Sequence, residues 1–257
     1  PFGVPHTKDE TGRKYYFYGI TRVKKKIEEL TGVEITEERL KEAIRLCNKE
    51  RELLRKISLM RKSDSPFLTA KDFVRINHAS MILDKKVLVD ILESGIDELQ
   101  KAGPRNAKGP RILLVGSTLA MGDHKILDLI EEAGGQVVIE EFAEGIKPYW
   151  LNVKTTGDSM AALAEAYFMD RVVPAWFRPA AERLPHLVQL ARDFSVDGVI
   201  WYQLMYRESY KIESYYFPEV LKKETGMSML TVESDYDPAE TGQMRTRIET
   251  YIDSIRR

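Results

Sequence analysis

Cysteine is almost absent from these 257 residues: Cys47 stands alone. One thiol excludes a disulfide framework, and any zinc or iron–sulfur site assembled from clustered local thiolates. It also suits a reducing compartment. Net charge is nearly absent too, with 39 Lys and Arg against 40 Asp and Glu. That balance argues against wholesale attraction to nucleic acid or to an anionic membrane. No apolar run approaches the ~18 residues of a spanning helix, and no basic-then-apolar signal peptide opens the chain. The expectation is a soluble, cytoplasmic protein. The first residue is Pro rather than Met, so a processed product or a fragment is expected. What is present in quantity is apolar side chain, 43% of the total, enough to build cores and to exclude disorder as a class.

The charge is unevenly shared. Residues 1–110 hold 23 Lys and Arg against 17 Asp and Glu, a net of +6, and the remainder carries −7. Periodicity changes at the same place. Before residue 105 the pattern is helical, with helices expected over residues 20–30, 36–62, from 69 onward, and 85–100. Thr36 and Thr69 read as N-terminal caps and Gly32 as a stop. Cys47 lies on the apolar stripe of the second helix, as a small hydrophobe. The clusters Lys24-Lys25-Lys26 and Arg61-Lys62 read as solvated helix faces. Two Gly-Pro steps between residues 101 and 110 mark a linker. The expected domains are a helical segment over 1–105, a bundle or a cap, and an α/β unit over 111–257.

In that second unit, apolar runs at 111–116, 136–139, 197–203 and 227–233 alternate with helices. Buried strands separated by helices imply a parallel sheet with right-handed crossovers. The expected fold class is α/β: a four-stranded parallel, flavodoxin-like, doubly wound domain preceded by a helical segment. Ligands in such sheets bind beyond the carboxyl ends of the strands.

Neither a dinucleotide fingerprint, a P-loop nor a nucleophile elbow occurs, and His6, His78, His124 and His186 lack metal-ligand spacing. No metal ligand set and no catalytic residue are assigned. The turn from Gly116 to His124 offers two hydroxyls, Ser117 and Thr118, before a helix start, which suits an anion cradle or simple strand-to-helix geometry. His124 reads as a surface or loop residue. The third strand ends in a loop holding Tyr206, Arg207 and Glu208; the fourth ends in Glu233 and Asp235, facing Gln243, Arg245 and Arg247 on the last helix. These groups suit either an anionic ligand or an ion-pair network among Glu233, Asp235, Arg245 and Arg247. Ser117, Thr118, Tyr206, Arg207, Glu208, Glu233, Asp235, Gln243 and Arg245 are therefore the ligand-binding candidates.

Several segments together resemble the 2-hydroxyacyl-CoA dehydratase / benzoyl-CoA reductase family. They are Ile27-Glu-Glu-Leu-Thr-Gly32, Ile35-Thr-Glu-Glu-Arg-Leu40, Asn48-Lys-Glu-Arg51, Arg111-Ile-Leu-Leu-Val-Gly116 and Leu129-Ile-Glu-Glu-Ala-Gly-Gly135. Asp197-Gly-Val-Ile200, Glu233-Ser-Asp-Tyr236 and Gly242-Gln-Met-Arg-Thr-Arg-Ile-Glu249 complete the set. No single piece is diagnostic; their order and spacing carry the likeness. The resemblance implies two flavodoxin-like domains with helical elements, paired related subunits, and a [4Fe–4S] cluster on three cysteines. It also implies an ATP-hydrolysing activator protein that injects one electron for ketyl-radical dehydration, or for reduction of an aromatic thioester.

Against that pattern the first α/β domain is missing, residues 1–19 reading as the exit from it. Both cluster cysteines of the second domain are missing too. Arg207 stands where one thiolate is expected, and Val173-Pro-Ala-Trp176 where the other is. A guanidinium is cationic and donates only, so it cannot replace a thiolate. The resemblance thus implies no cofactor held by this chain. Three readings stay open. One is a cluster-free subunit that binds acyl-CoA or pairs, as hetero- or homodimer, with a redox subunit, Arg207 meeting an anionic group or an ion-pair partner, Glu208 or Glu233. Another is an active cluster subunit with ligands from an absent domain. The last is a non-enzymatic small-molecule-binding or scaffold protein.

Overall fold

The computed structural model describes residues 2–172, 177–178, 182–237 and 241–256. Four helices open the chain: α1 (Glu10–Thr31), α2 (Glu37–Leu59), α3 (Ala70–Ile82) and α4 (Lys85–Ala102). Asp9, Thr36, Thr69 and Asp84 each turn a side-chain oxygen onto N–H groups of the following first turn. Those donors have no carbonyl of their own, which is why short polar residues stop the chain there. Gly32, at φ 67°, closes α1 in the left-handed conformation. The caps at Thr36 and Thr69 and the stop at Gly32 stand as predicted. α1 starts at Glu10 rather than near residue 20; its first turns are aromatic on several sides, so they show no single apolar stripe.

The α/β part runs β1 (Arg111–Gly116), α5 (Lys125–Glu132), β2 (Gln136–Glu141), α6 (Ser159–Ala164) with a π turn (Glu165–Met169), α7 (Arg183–Asp193), β3 (Gly198–Leu204), α8 (Glu208–Thr225), β4 (Met229–Ser234) and α9 (Thr241–Ile255). The four strands form one parallel sheet in the order β2-β1-β3-β4. The flavodoxin-like, doubly wound expectation holds. β1 and β3 are buried at every position, as continuous apolar strands covered on both faces require.

On one face Ile112, Leu114 and Ile200 meet α5 and α9 through Ile126, Ile130, Ile248 and Ile252. On the other, Leu113, Val115 and Trp201 meet α7 and α8, and with them Leu54 and Ile57 of α2, Phe73 of α3 and Leu88 and Leu92 of α4. The opening helices thus close one side of the sheet. Among the described residues no helix is long and apolar enough to cross a membrane.

One expectation is overturned here. Arg61 is not on a solvated face: it is fully buried, donates to Ser58 and Glu140, and lies 4.1 Å from the centre of the Phe73 ring. α2 ends at Leu59, and the turn after it carries Arg61 back beneath β2.

Candidate functional site

Chain direction reverses between β1 and β3: β1 leads outward to β2, then the chain returns to lay β3 on its other side. The crevice beyond the carboxyl ends of those strands is where a doubly wound sheet receives ligands. Gly116 ends β1 there, and a Cβ in its place would stand 2.3 Å from the Tyr202 carbonyl and 2.5 Å from the Phe142 ring. Only glycine fits that approach.

Of the two hydroxyls expected at this turn, that of Thr118 meets a carboxylate of the protein itself. Thr118 Oγ1 donates to Glu144 Oε1, and the Leu119 N–H donates to Glu144 Oε2 at 2.7 Å. Ser117 is buried, and its hydroxyl and Asp123 Oδ2 lack hydrogen-bond partners among the described residues. Burial, with the Asp123 carboxylate nearby, pushes the Tyr202 phenol well above its ordinary range. His124 caps α5, half-buried, its ring 6.0 Å from that of His78. Burial lowers its pKa, and Arg75, Lys71 and His78 lower it further.

At β3 and β4 the structure separates the candidates. Tyr206 is 91% exposed and left-handed, φ 64°. Arg207 and Glu208 are exposed at the start of α8, and Glu208 opens that helix rather than lying in the loop. Arg207 makes no ion pair with Glu208 or Glu233; Glu233 lies 3.6 Å from Lys211 instead. Arg245 reaches Glu132 of α5 at 2.5 Å, and Arg247 donates to the Thr231 carbonyl at 2.7 Å. Asp235 accepts the Asp237 N–H on its carboxylate, while its carbonyl receives Lys125 Nζ. Gln243 faces solvent. The network expected among Glu233, Asp235, Arg245 and Arg247 does not form; each meets another partner instead, Lys211, the Asp237 N–H, Glu132 and the Thr231 carbonyl respectively.

The sequence reading missed an ionic cluster sealed at the end of β2. Glu140 and Glu141 end β2, both essentially sealed from solvent. Glu140 takes Arg61, with Nη2–Oε2 at 2.8 Å. Glu141 takes Arg183 Nη1 at 2.5 Å, and Arg183 Nε also reaches Glu213 of α8 at 3.0 Å. Lys147 Nζ approaches Glu141 at 3.4 Å. Burial pushes Glu141 upward, but Arg183 and Lys147 outweigh it and hold its carboxyl below the ordinary range. At Glu213 burial wins over Arg183, and the pKa rises. The legible signal was a buried strand ending in two acids, which demand partners wherever a sheet is covered on both faces.

Against this cluster lies a cavity of about 350 Å³. Ile146, Trp150, Leu151 and Val172 wall it, with Glu141, Lys147, Asp170, Arg171, His186 and Tyr210 as its polar groups. Lys147 Nζ lies 5.3 Å from the Tyr210 ring centre and Arg183 on the same ring at 5.7 Å. Burial lowers the His186 pKa, an effect that Glu141 opposes and Arg183 and Lys147 reinforce.

Three-thiolate ligation does not fit these residues. Cys47 is half-buried on α2, and it is the chain's one cysteine. Among the described residues no group of three or more His, Cys, Asp or Glu could hold a metal ion. The position expected for a second cysteine, residues 173–176, lies outside the described residues, and its sequence is Val-Pro-Ala-Trp.

Comparison with known proteins gives consistent matches. The family model described as 2-hydroxyglutaryl-CoA dehydratase, D-component, matches residues 1–255. The chain is 29% identical over 252 residues to the putative dehydratase subunit YjiM of Escherichia coli (strain K12), covering 96% of this chain and 65% of that protein. It is 22% identical over 258 residues to the (R)-phenyllactyl-CoA dehydratase beta subunit of Clostridium sporogenes, covering 99% and 67%. A benzoyl-CoA reductase subunit of Thauera aromatica is 21% identical over 203 residues, covering 78% of this chain and 53% of that protein. The chain thus spans about two thirds of the length of the first two relatives and about half of the third.

Proposed function

The chain belongs to the 2-hydroxyglutaryl-CoA dehydratase D-component family, and from that premise we propose that it serves as a subunit of a 2-hydroxyacyl-CoA dehydratase or benzoyl-CoA reductase-type assembly. In this reading it receives the acyl end of a coenzyme A thioester and pairs with a related subunit that carries the redox centre. The three relatives are themselves named as subunits, one of a putative dehydratase, one of a phenyllactyl-CoA dehydratase and one of a benzoyl-CoA reductase.

One observation carries the reading: a cavity bordered by Glu141 at the end of β2 and Tyr210 beyond β3 combines an apolar wall with cations. Ile146, Trp150, Leu151 and Val172 offer the acyl group a dry surface, while Lys147 and Arg171 offer positive charge. In this reading Tyr206, Arg207 and Glu208, exposed just before the lining residue Tyr210, are where the coenzyme would enter. This chain's part in catalysis is to bind, orient and exclude water. Electron transfer belongs to the partner, with an activator protein supplying the electron.

Anaerobic purification followed by iron analysis and acyl-CoA titration tests this. The expected result is a colourless protein with no stoichiometric iron that binds benzoyl-CoA or a short 2-hydroxyacyl-CoA. Brown material with close to four irons per chain would replace the reading with an active cluster subunit. Colourless protein indifferent to every thioester would favour a scaffold.

A further inference from the structure

Arg171 is the odd cation of the cavity. Arg183 has two carboxylates and Lys147 has Glu141, whereas Arg171 has no carboxylate among the described residues. Its guanidinium lies 4.4 Å from the centre of the Tyr167 ring. A second arginine, Arg51, lies 5.6 Å from the same ring centre and donates to the Tyr167 hydroxyl. Arg51 is buried and likewise lacks a carboxylate among the described residues; its other bond, 2.8 Å, goes to Asn48 Oδ1. Asp170, although adjacent in sequence, is exposed and does not figure among the groups acting on Arg171. Two guanidiniums share one phenol ring.

The arrangement is braced. Tyr167 sits on the π turn, a distortion that recurs at functional sites, while its neighbour Phe168 stacks on Tyr16 at 5.1 Å inside the fold. Lys8 Nζ holds the Arg171 carbonyl at 2.8 Å, and Asn48 ties α2 to Val153 through bonds of 2.7 and 2.9 Å. A cation–π contact compensates a desolvated guanidinium only in part, and burial together with Arg51 weakens its hold on its proton. An incoming anion would relieve both arginines. At the cavity's other polar end, Glu141 Oε2 is buried with no donor among the described residues.

We propose that Arg171 is the oxyanion-binding residue of this cavity, seating a carboxylate or phosphate of a ligand whose apolar body lies against Ile146, Trp150 and Val172. This rests on the acyl-CoA reading above and makes it more specific. A carboxylate at the far end of the acyl group and a phosphate of the coenzyme share the chemistry, and titration separates them. Adipyl-CoA and hexanoyl-CoA match in length and differ in terminal charge; coenzyme A alone lacks the acyl group. A hydrogen-bonded charge pair contributes about 1.5–3 kcal/mol, so the effect is about tenfold to a hundredfold in Kd.

If the acyl carboxylate is the occupant, adipyl-CoA binds tighter than hexanoyl-CoA by that factor. Arg171→Gln removes the preference and Arg171→Lys retains much of it. If a coenzyme phosphate is the occupant, Arg171→Gln weakens both thioesters and coenzyme A alike, which also upholds the oxyanion role. Unchanged affinities in a folded Arg171→Gln protein overturn the inference and leave the acyl-CoA reading standing. Failure of the unmodified chain to bind any of the three ligands removes the acyl-CoA reading itself, and the inference with it. Thermal melting of both variants shows that each is folded before its affinity is compared.

Discussion

Beside β2 the charged side chains are sealed in protein; beside β4 they stand in water. Arg61 and Glu140 are both 0% exposed, and Arg183 sits between Glu141 and Glu213 with all three nearly dry. Lys211 and Glu233, at the other edge of the same sheet, are 54% and 43% exposed and 3.6 Å apart. The chemistry is the same, but the surroundings are not. An exposed pair contributes about 0–1 kcal/mol, because water screens it and long side chains must be ordered to make it. A buried pair is not a large net gain either, but breaking it on one side strands a charge. The β2 edge is thus committed to one arrangement, and the β4 edge is free to meet whatever approaches.

The sharpest way to break this contrast is Glu140→Ala. It leaves Arg61 buried against Phe73 and Ser58 with no carboxylate, and should cost about 3–5 kcal/mol. Denaturant unfolding reads it directly. The double variant Arg61→Met with Glu140→Leu should recover most of the loss, since an apolar pair of similar volume is often neutral or better. Equal losses in single and double variants would mean that shape rather than charge is what the β2 edge requires.

The two edges also differ in how they were written in the sequence. The parallel sheet was legible because β1 and β3 carry the apolar runs Ile112 to Val115 and Val199 to Trp201, and the caps were legible because Thr36 and Thr69 act on residues three positions on. The loops beyond β3 and β4 were placed at the crevice for the same local reason. Arg61 finds Glu140 across 79 residues and Arg183 finds Glu141 across 42, and no local spacing announces such partners. Glu144 filling the Thr118 cradle is a similar case: the donors were foreseen and the acceptor was not. Nor did the charges at 233–247 reveal that Glu233 would meet Lys211 and Arg245 would meet Glu132.

A middle-sized effect follows from His186, half enclosed by the β2 cluster. Its pKa is lowered in the folded protein, by burial first, with Arg183 and Lys147 adding to the shift and Glu141 opposing it. A base with a depressed folded pKa is protonated in the unfolded chain before it is protonated in the native one. Its contribution to stability is therefore complete above pH ~6.5, the unfolded value, and is lost as pH falls toward the folded pKa. The limit for one such imidazole is about 1.4 kcal/mol per pH unit. Melting temperatures between pH 7.5 and 5.5 should fall less steeply in His186→Asn than in the unmodified chain. Parallel slopes would show that the imidazole titrates as it does in water, and that the β2 edge is wetter than its geometry.

At the β4 side, Arg207→Ala should change stability least. Arg207 is exposed and caps α8 without a side-chain hydrogen bond. It is also a cation at a helix N-terminus, the end that favours negative charge by about 0.3–1 kcal/mol. Removing it should therefore leave unfolding free energy within about 0.5 kcal/mol, or raise it slightly. A loss above about 1 kcal/mol would expose a structural partner and erase the distinction between the two edges. A neutral or stabilising result would sharpen it, leaving Arg207 free for the ligand-binding role proposed above. The same variant should then weaken acyl-CoA binding while its melting curve stays in place.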